Sequence, residues 1–114
     1  MRLVTVIGAR PQFIKAAPVS RALRERGTIH EFVVHTGQHF DPEMSDVFFE
    51  QLRLRAPDVL LDIHGGPHGA MTARMLTELE RILQEVRPDR VLVYGDTNST
   101  LAGALAAAKL HIPV

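Results

Sequence analysis

The chain has 114 residues, 46% of them hydrophobic, with thirteen basic and thirteen acidic side chains and no cysteine. That length and apolar content suit one compact domain with its own core. Zero net charge argues against a nucleic acid or an anionic membrane as partner; the lack of cysteine excludes disulfides and thiolate metal sites; and no apolar run is long enough to cross a bilayer.

The amino terminus enters a strand almost at once, without the layout of a signal peptide, so a cytoplasmic protein is expected. Residues 2–7, built on Leu3-Val-Thr-Val-Ile7, predict the first strand. A helix is predicted over 12–26, with Pro11 suited to its first turn and Gly27 to its end. Pro18 lies inside it, which predicts a kink between Ile14 and Pro18. Residues 30–36, centred on Phe32-Val33-Val34, predict the second strand. A short helix is predicted over 42–54, with Met44, Val47, Phe48 and Leu52 at helical spacing; Phe48 and Phe49 read as core or lid aromatics.

Residues 58–63 predict a third strand, followed by a glycine-rich loop, His64-Gly-Gly-Pro-His-Gly69. The clearest amphipathic helix comes next. Met75, Leu76, Leu79, Ile82, Leu83 and Val86 share one face, opposite Arg74, Glu78, Arg81 and Glu85. Pro88 stops it, and residues 90–94 predict a fourth strand. The last helix, near 98–110, carries no charge until Lys109 and is expected to be buried on more than one side. Ile112 to Val114 open a fifth strand, and a stop at that point is expected of a truncated domain. Strands alternating with helices imply right-handed crossovers and a parallel sheet, an α/β Rossmann-like domain with flanking helices.

Ligands of open α/β sheets sit outside the carboxyl ends of the strands. Two loops fall there. Gly8-Ala-Arg-Pro-Gln12 follows the first strand, and Gly95-Asp96-Thr-Asn-Ser-Thr100 follows the fourth. The first lacks the glycines of a dinucleotide fingerprint and the Gly-Lys-Ser/Thr of a nucleotide-triphosphate loop. It does set Arg10 beside a helix start, where backbone donors and a guanidinium could clamp a phosphate. Pairing of Arg10 with a surface carboxylate is the competing reading. Lys15, one to two turns on, joins the site only if its helix face allows. In the second loop Asp96 could act as acid or base. Asp, Thr, Asn and Ser are also all favoured helix caps, and capping alone is the competing reading there. His35/His39 and His64/His68 are each four apart near strand ends. With no cysteine and no carboxylate in the same motif, hydrogen bonding to a loop or substrate is preferred to a metal site. The His64–Gly69 loop reads either as a mobile connection or as a place of close approach to a ligand.

Four strings occur in order: Gly8-Ala-Arg-Pro-Gln-Phe-Ile-Lys-Ala-Ala-Pro18, Thr36-Gly-Gln-His39, Met71-Thr-Ala-Arg-Met-Leu76 and Tyr94-Gly-Asp-Thr-Asn-Ser-Thr-Leu-Ala102. Together they closely resemble the amino-terminal domain of the non-hydrolysing UDP-N-acetylglucosamine 2-epimerases, over nearly the whole chain. The resemblance implies the amino-terminal half of a glycosyltransferase-B-type fold, with two Rossmann-like domains across a cleft. It implies interconversion of UDP-N-acetylglucosamine and UDP-N-acetylmannosamine by elimination and re-addition of UDP, with no metal or other cofactor. It implies Asp96 as a catalytic acid/base group, Arg10 and Lys15 as basic residues near the nucleotide phosphates, and Gln38 and His39 as contacts to a second, activating UDP-sugar. It also implies a homodimeric parent serving cell-envelope polysaccharide synthesis.

The chain departs from the family by lacking the later motifs and the second domain, so residues 1–114 are expected to form a single incomplete domain that does not epimerise alone. Gln12 stands where many members carry Glu. Two other functions compete: a UDP-sugar glycosyltransferase of the same architecture, and a non-catalytic binding or assembly module whose unpaired sheet edge attracts partners.

Overall fold

A computed structural model describes residues 1–38, 50–53 and 55–114. Most of the helix predicted over 42–54, and with it Phe48, Phe49 and His39, lies outside the described residues.

Among the described residues four parallel strands form one sheet in the order β3-β2-β1-β4. They are β1 (Arg2–Ile7), β2 (His30–His35), β3 (Val59–Leu60) and β4 (Arg90–Val93). β1 is central and buried from Leu3 to Ile7, as expected of a strand covered on both faces. Side chains alternate along it. Val4 and Val6 join Val34, Val91 and the apolar faces of two helices in the larger core; Ile7 joins Phe13, Ala16 and Val33 in a smaller core on the opposite face.

That smaller core lies under α1 (Arg10–Arg26). α1 starts two residues before the predicted position, because Pro11 occupies its first turn and Ala9 is its extended N-cap. It runs through Pro18 as one continuous helix. Pro18 is exposed, so the backbone bond it cannot make is left facing water and not the core. Gly27, at φ +72, closes the helix with its N–H donating to the Leu23 carbonyl.

The larger core is covered by α2 (His68–Val86) and α3 (Asn98–Lys109), which pack against each other. Met71, Met75, Leu79, Ile82 and Leu83 are the buried stripe of α2, close to the amphipathic pattern of the sequence. The helix ends at Arg87 in left-handed conformation, one residue before Pro88. α3 buries Ser99, Ala102, Gly103, Ala106 and Ala107; these small side chains let it approach the sheet closely. The expectation that α3 is buried on several sides is corrected here: Leu101 is 57% exposed and Leu105 37%.

Three further boundaries differ from the sequence reading. β3 has two ladder residues, not six, because it is an edge strand and Asp62 adopts positive φ (+55), which breaks extended geometry. The backbone nonetheless stays tied to β2 through Leu61 N–H to His35 O (2.9 Å) and Ile63 N–H to Thr36 O (2.7 Å). Residues 112–114 form no ladder, although Val91 N–H donates to Pro113 O (2.9 Å) beside β4. His68 and Gly69, predicted in the loop, belong to the first turn of α2.

Candidate active site

β1 and β4 are adjacent and parallel, so the loops that follow them open on the same edge of the sheet. One leads into α1 with Arg10 as its first residue, the other into α3 with Asp96 two residues before the helix. The sequence reading required this juxtaposition of guanidinium and carboxylate loops.

Gln12 joins the two loops. It is only 4% exposed. Its Oε1 accepts from the N–H groups of Gly8 (2.7 Å) and Ala9 (3.2 Å). Its Nε2 donates to the Tyr94 carbonyl (2.6 Å) and to the hydroxyls of Thr97 (3.1 Å) and Thr100 (3.3 Å). Gln12 is the third residue of α1, so bonding back to the cap N–H is a local capping pattern. The bonds to Tyr94, Thr97 and Thr100 are tertiary.

Behind these loops lies a polar ring. Gln38 N–H donates to Thr36 Oγ1 (3.3 Å), Thr36 Oγ1 and Ser99 Oγ share a bond of 2.7 Å, and Ser99 Oγ donates to Gln38 Oε1 (2.6 Å). Ser99 N–H also donates to Gln38 Oε1 (3.0 Å). The Gln38 side chain thereby satisfies a free N–H in the first turn of α3, a role the sequence reading missed. A Cβ at Gly8 would overlap the hydroxyls of both Ser99 and Thr36, so the loop after β1 passes against the ring only because residue 8 has no side chain.

The question of whether Asp96 is a cap is decided by Thr97. Thr97 is the N-cap of α3, and its Oγ1 accepts from Thr100 N. Asp96 is exposed, and it appears in none of the hydrogen bonds or ion pairs among the described residues. Its carboxylate is therefore presented to solvent at the strand edge. Arg10 is half-buried and engaged with neighbouring groups. Lys15 is exposed on α1, and five helical steps place it roughly 140° round the axis from Arg10. The two cations thus project from different sides of the helix.

The histidines divide. His35 is buried and packs edge-on against Phe13, with ring centroids 4.7 Å apart. Its Nδ1 accepts from Gly37 N–H (3.0 Å). Burial pulls its pKa down to about 4, so it is neutral. Through that bond and its packing on Phe13 it holds the loop after β2. His68 Nδ1 lies 2.9 Å from Asn98 Nδ2, joining the start of α2 to the start of α3. His64 pairs with Asp62 at 3.2 Å. Arg74 donates to the Gly65 carbonyl (3.0 Å), tying the glycine-rich loop to α2. Among the described residues no three histidines or carboxylates gather as a metal site.

These features define a Rossmann-like α/β domain whose polar, loop-built edge lies at the carboxyl ends of β1, β2 and β4. The family profile described as UDP-N-acetylglucosamine 2-epimerase matches residues 21–114, and the chain belongs to that family. It is 64% identical over its whole length to the UDP-2,3-diacetamido-2,3-dideoxy-D-glucuronate 2-epimerase of Pseudomonas aeruginosa, covering 32% of that protein. The crystal structure of Methanocaldococcus jannaschii UDP-GlcNAc 2-epimerase in complex with UDP-GlcNAc and UDP superposes with a TM-score of 0.91 at 46% identity. That match covers 98% of this chain and 31% of the other. The Neisseria meningitidis enzyme bound to UDP-GlcNAc gives 0.89 at 37%, covering 100% of this chain and 30% of the other. The chain thus spans about a third of the length of the relatives it matches, and its fold is that of their Rossmann-like amino-terminal domain.

Proposed function

We propose that this domain is the amino-terminal part of an enzyme that inverts carbon-2 of a UDP-activated 2-acetamido sugar, interconverting UDP-N-acetylglucosamine and UDP-N-acetylmannosamine. The observation that carries the reading is the placement of Arg10 and Asp96 on loops of adjacent strands in a chain of this family. In the reaction a base removes the carbon-2 proton, the bond from carbon-1 to the UDP oxygen breaks, and a carbon-1–carbon-2 double bond forms. UDP then adds back to carbon-1, and a proton is delivered to the opposite face of carbon-2. Asp96 serves as one acid/base group, since an exposed carboxylate at the strand edge can reach a substrate proton. Arg10 holds the diphosphate and stabilises its departing charge, and Lys15, on another side of α1, adds positive charge from a greater distance. Diphosphate is a good leaving group, and the chemistry proceeds without a cofactor.

One carboxylate cannot serve both faces of the ring. The remaining acid/base groups come from the rest of the first domain and from a second domain, which also holds most of the uridine site, consistent with the greater length of the relatives. Alone, residues 1–114 do not turn over. Gln38 and His39 contribute to a site for a second, activating UDP-sugar, and the parent is a cytoplasmic homodimer serving cell-envelope polysaccharide synthesis. Among the described residues no helix is long and apolar enough to cross a membrane.

A second substrate is favoured by one observation, the 64% identity to the P. aeruginosa enzyme named for UDP-2,3-diacetamido-2,3-dideoxy-D-glucuronate. The two sugar nucleotides share the UDP and the 2-acetamido group on which the chemistry depends; they differ at carbons 3 and 6. Incubation of the full-length protein with each, followed by proton NMR, separates the readings. Epimerisation of UDP-N-acetylglucosamine supports the first, and turnover of the diacetamido uronate alone supports the second.

A further inference from the structure

We infer that Gln12 is a positioning residue: it fixes the separation of the Arg10 and Asp96 loops by bonding both at once. The inference rests on the epimerase reading for its consequence in turnover, but its structural part stands on the Gln12 contacts alone.

The geometry leaves one orientation for the amide. Gly8 N–H and Ala9 N–H are donors and meet the oxygen; the Tyr94 carbonyl is an acceptor and meets the nitrogen. Rotating the amide by half a turn would set N–H against N–H and oxygen against oxygen. The side chain therefore reads the polarity of both loops. Its length matters as well, because it crosses from α1 to residues 82 to 88 positions away in sequence. The bonds from Gly8 and Ala9 are buried and little weakened by water, and loss of the side chain would leave those N–H groups unsatisfied.

Asp96 has no anchor of its own among the described residues. Its place is set by the backbone between Tyr94 and Thr97, both of which Gln12 holds. Arg10 lies between Ala9 and Gln12 on the other side of the same bridge. A shift of about 1 Å between a cation and a general base can cost on the order of a hundredfold in rate. Gln12 acts through the spacing of the two loops, so its effect should fall on turnover more than on nucleotide affinity.

The test is made in the full-length protein with Gln12→Met, which fills similar volume without polar atoms, and Gln12→Glu, which keeps polar atoms at both ends. In the glutamate variant one oxygen accepts from Gly8 and Ala9, and the other, carrying a proton taken from solvent, donates to the Tyr94 carbonyl in place of the amide. Gln12→Met is expected to lower kcat more than tenfold while the Kd for UDP changes less than threefold, and Gln12→Glu to recover kcat to within threefold of wild type. Hydrogen exchange, read without activity, is expected to quicken in Gln12→Met over residues 8–13 and 94–101. Should the methionine variant not fold, Gln12→Asn, too short to reach both loops, is expected to show the same losses. A methionine variant with kcat within threefold of wild type, or a glutamate variant as poor as it, overturns the inference. A wild-type protein without epimerase activity sinks the functional reading only. The exchange result then decides for Gln12: unchanged exchange over 94–101 overturns it, and faster exchange there upholds the bridge.

Discussion

The hydroxyl of Ser99 occupies the space that a side chain on Gly8 would need. Gly8 ends the approach of β1 to the site, and Ser99 lies in the first turn of α3, so their contact sets how closely α3 seats on the sheet. Ser99 Cβ itself would stand 3.1 Å from the added carbon, so rotation of the hydroxyl alone would not relieve the overlap. Gly8→Ala should therefore destabilise the fold by about 1–3 kcal/mol, the ordinary cost of overpacking. Urea unfolding of the full-length protein would show the midpoint falling, with partial recovery in Gly8→Ala/Ser99→Gly. An unchanged midpoint would mean that the loop has slack that the structure does not show.

Asp96→Asn should reduce turnover by roughly 10²- to 10⁴-fold, the usual contribution of a general acid or base. Because Thr97 and not Asp96 caps α3, and because Asp96 is exposed, stability should change by no more than about 0.5 kcal/mol. Thermal melts alongside steady-state rates separate the two effects. A variant with full turnover would return Asp96 to the role of a surface loop residue.

Removing the guanidinium in Arg10→Ala should weaken UDP binding by about ten- to a hundredfold, as expected for loss of a charge-assisted hydrogen bond of about 1.5–3 kcal/mol. Titration calorimetry with UDP measures this directly. The same change at Lys15, exposed and round the helix from Arg10, should cost less. Equal losses at both positions would show that both cations share the diphosphate.

His35 makes a prediction about pH. Its folded pKa is lowered to about 4 by burial, against an ordinary value of 6.5. Between those values the unfolded chain binds the proton that the folded one refuses. Stability therefore rises with pH across this window; the contribution is fully present above about 6.5 and is lost as pH falls toward 4. The slope approaches one proton, about 1.4 kcal/mol per pH unit. Unfolding midpoints of wild type and His35→Gln, compared between pH 4.5 and 7.5, should diverge least at the acid end. Parallel curves would mean that His35 becomes protonated without unfolding.

The features legible in the sequence were those with local causes. Alternating apolar runs located β1, β2 and β4, the stripe from Met75 to Val86 located α2, and Gly27 and Pro88 marked helix ends. The parallel sheet then followed from the alternation of strands and helices, and with it the expectation that the Arg10 and Asp96 loops open on one edge; the strand order that makes β1 and β4 neighbours came from the structure. What escaped the reading was tertiary. Gln12 looks like a variant in a motif until Tyr94 and Thr97 are brought beside it, and nothing near Gln38 in sequence announces that it bonds the first turn of α3. Asp58 to Ile63 reads as a full strand because four of its six residues are apolar; the turn at Asp62 is a backbone event with no strong residue signal. The lack of charge in α3 before Lys109 suggested burial on more than one side, but small residues on one face and leucines on the other give the same composition.

The account depends most on chemistry at carbon-2, and the direct measurement is proton NMR of the full-length protein incubated in deuterium oxide with UDP-N-acetylglucosamine and, separately, with the 2,3-diacetamido uronate, without any acceptor. The account predicts that at least one is converted to its carbon-2 epimer, with deuterium at carbon-2 of the product, and that Asp96→Asn abolishes the exchange. Binding of UDP with neither epimer nor deuterium formed would contradict it and leave a transferase or a binding module in its place.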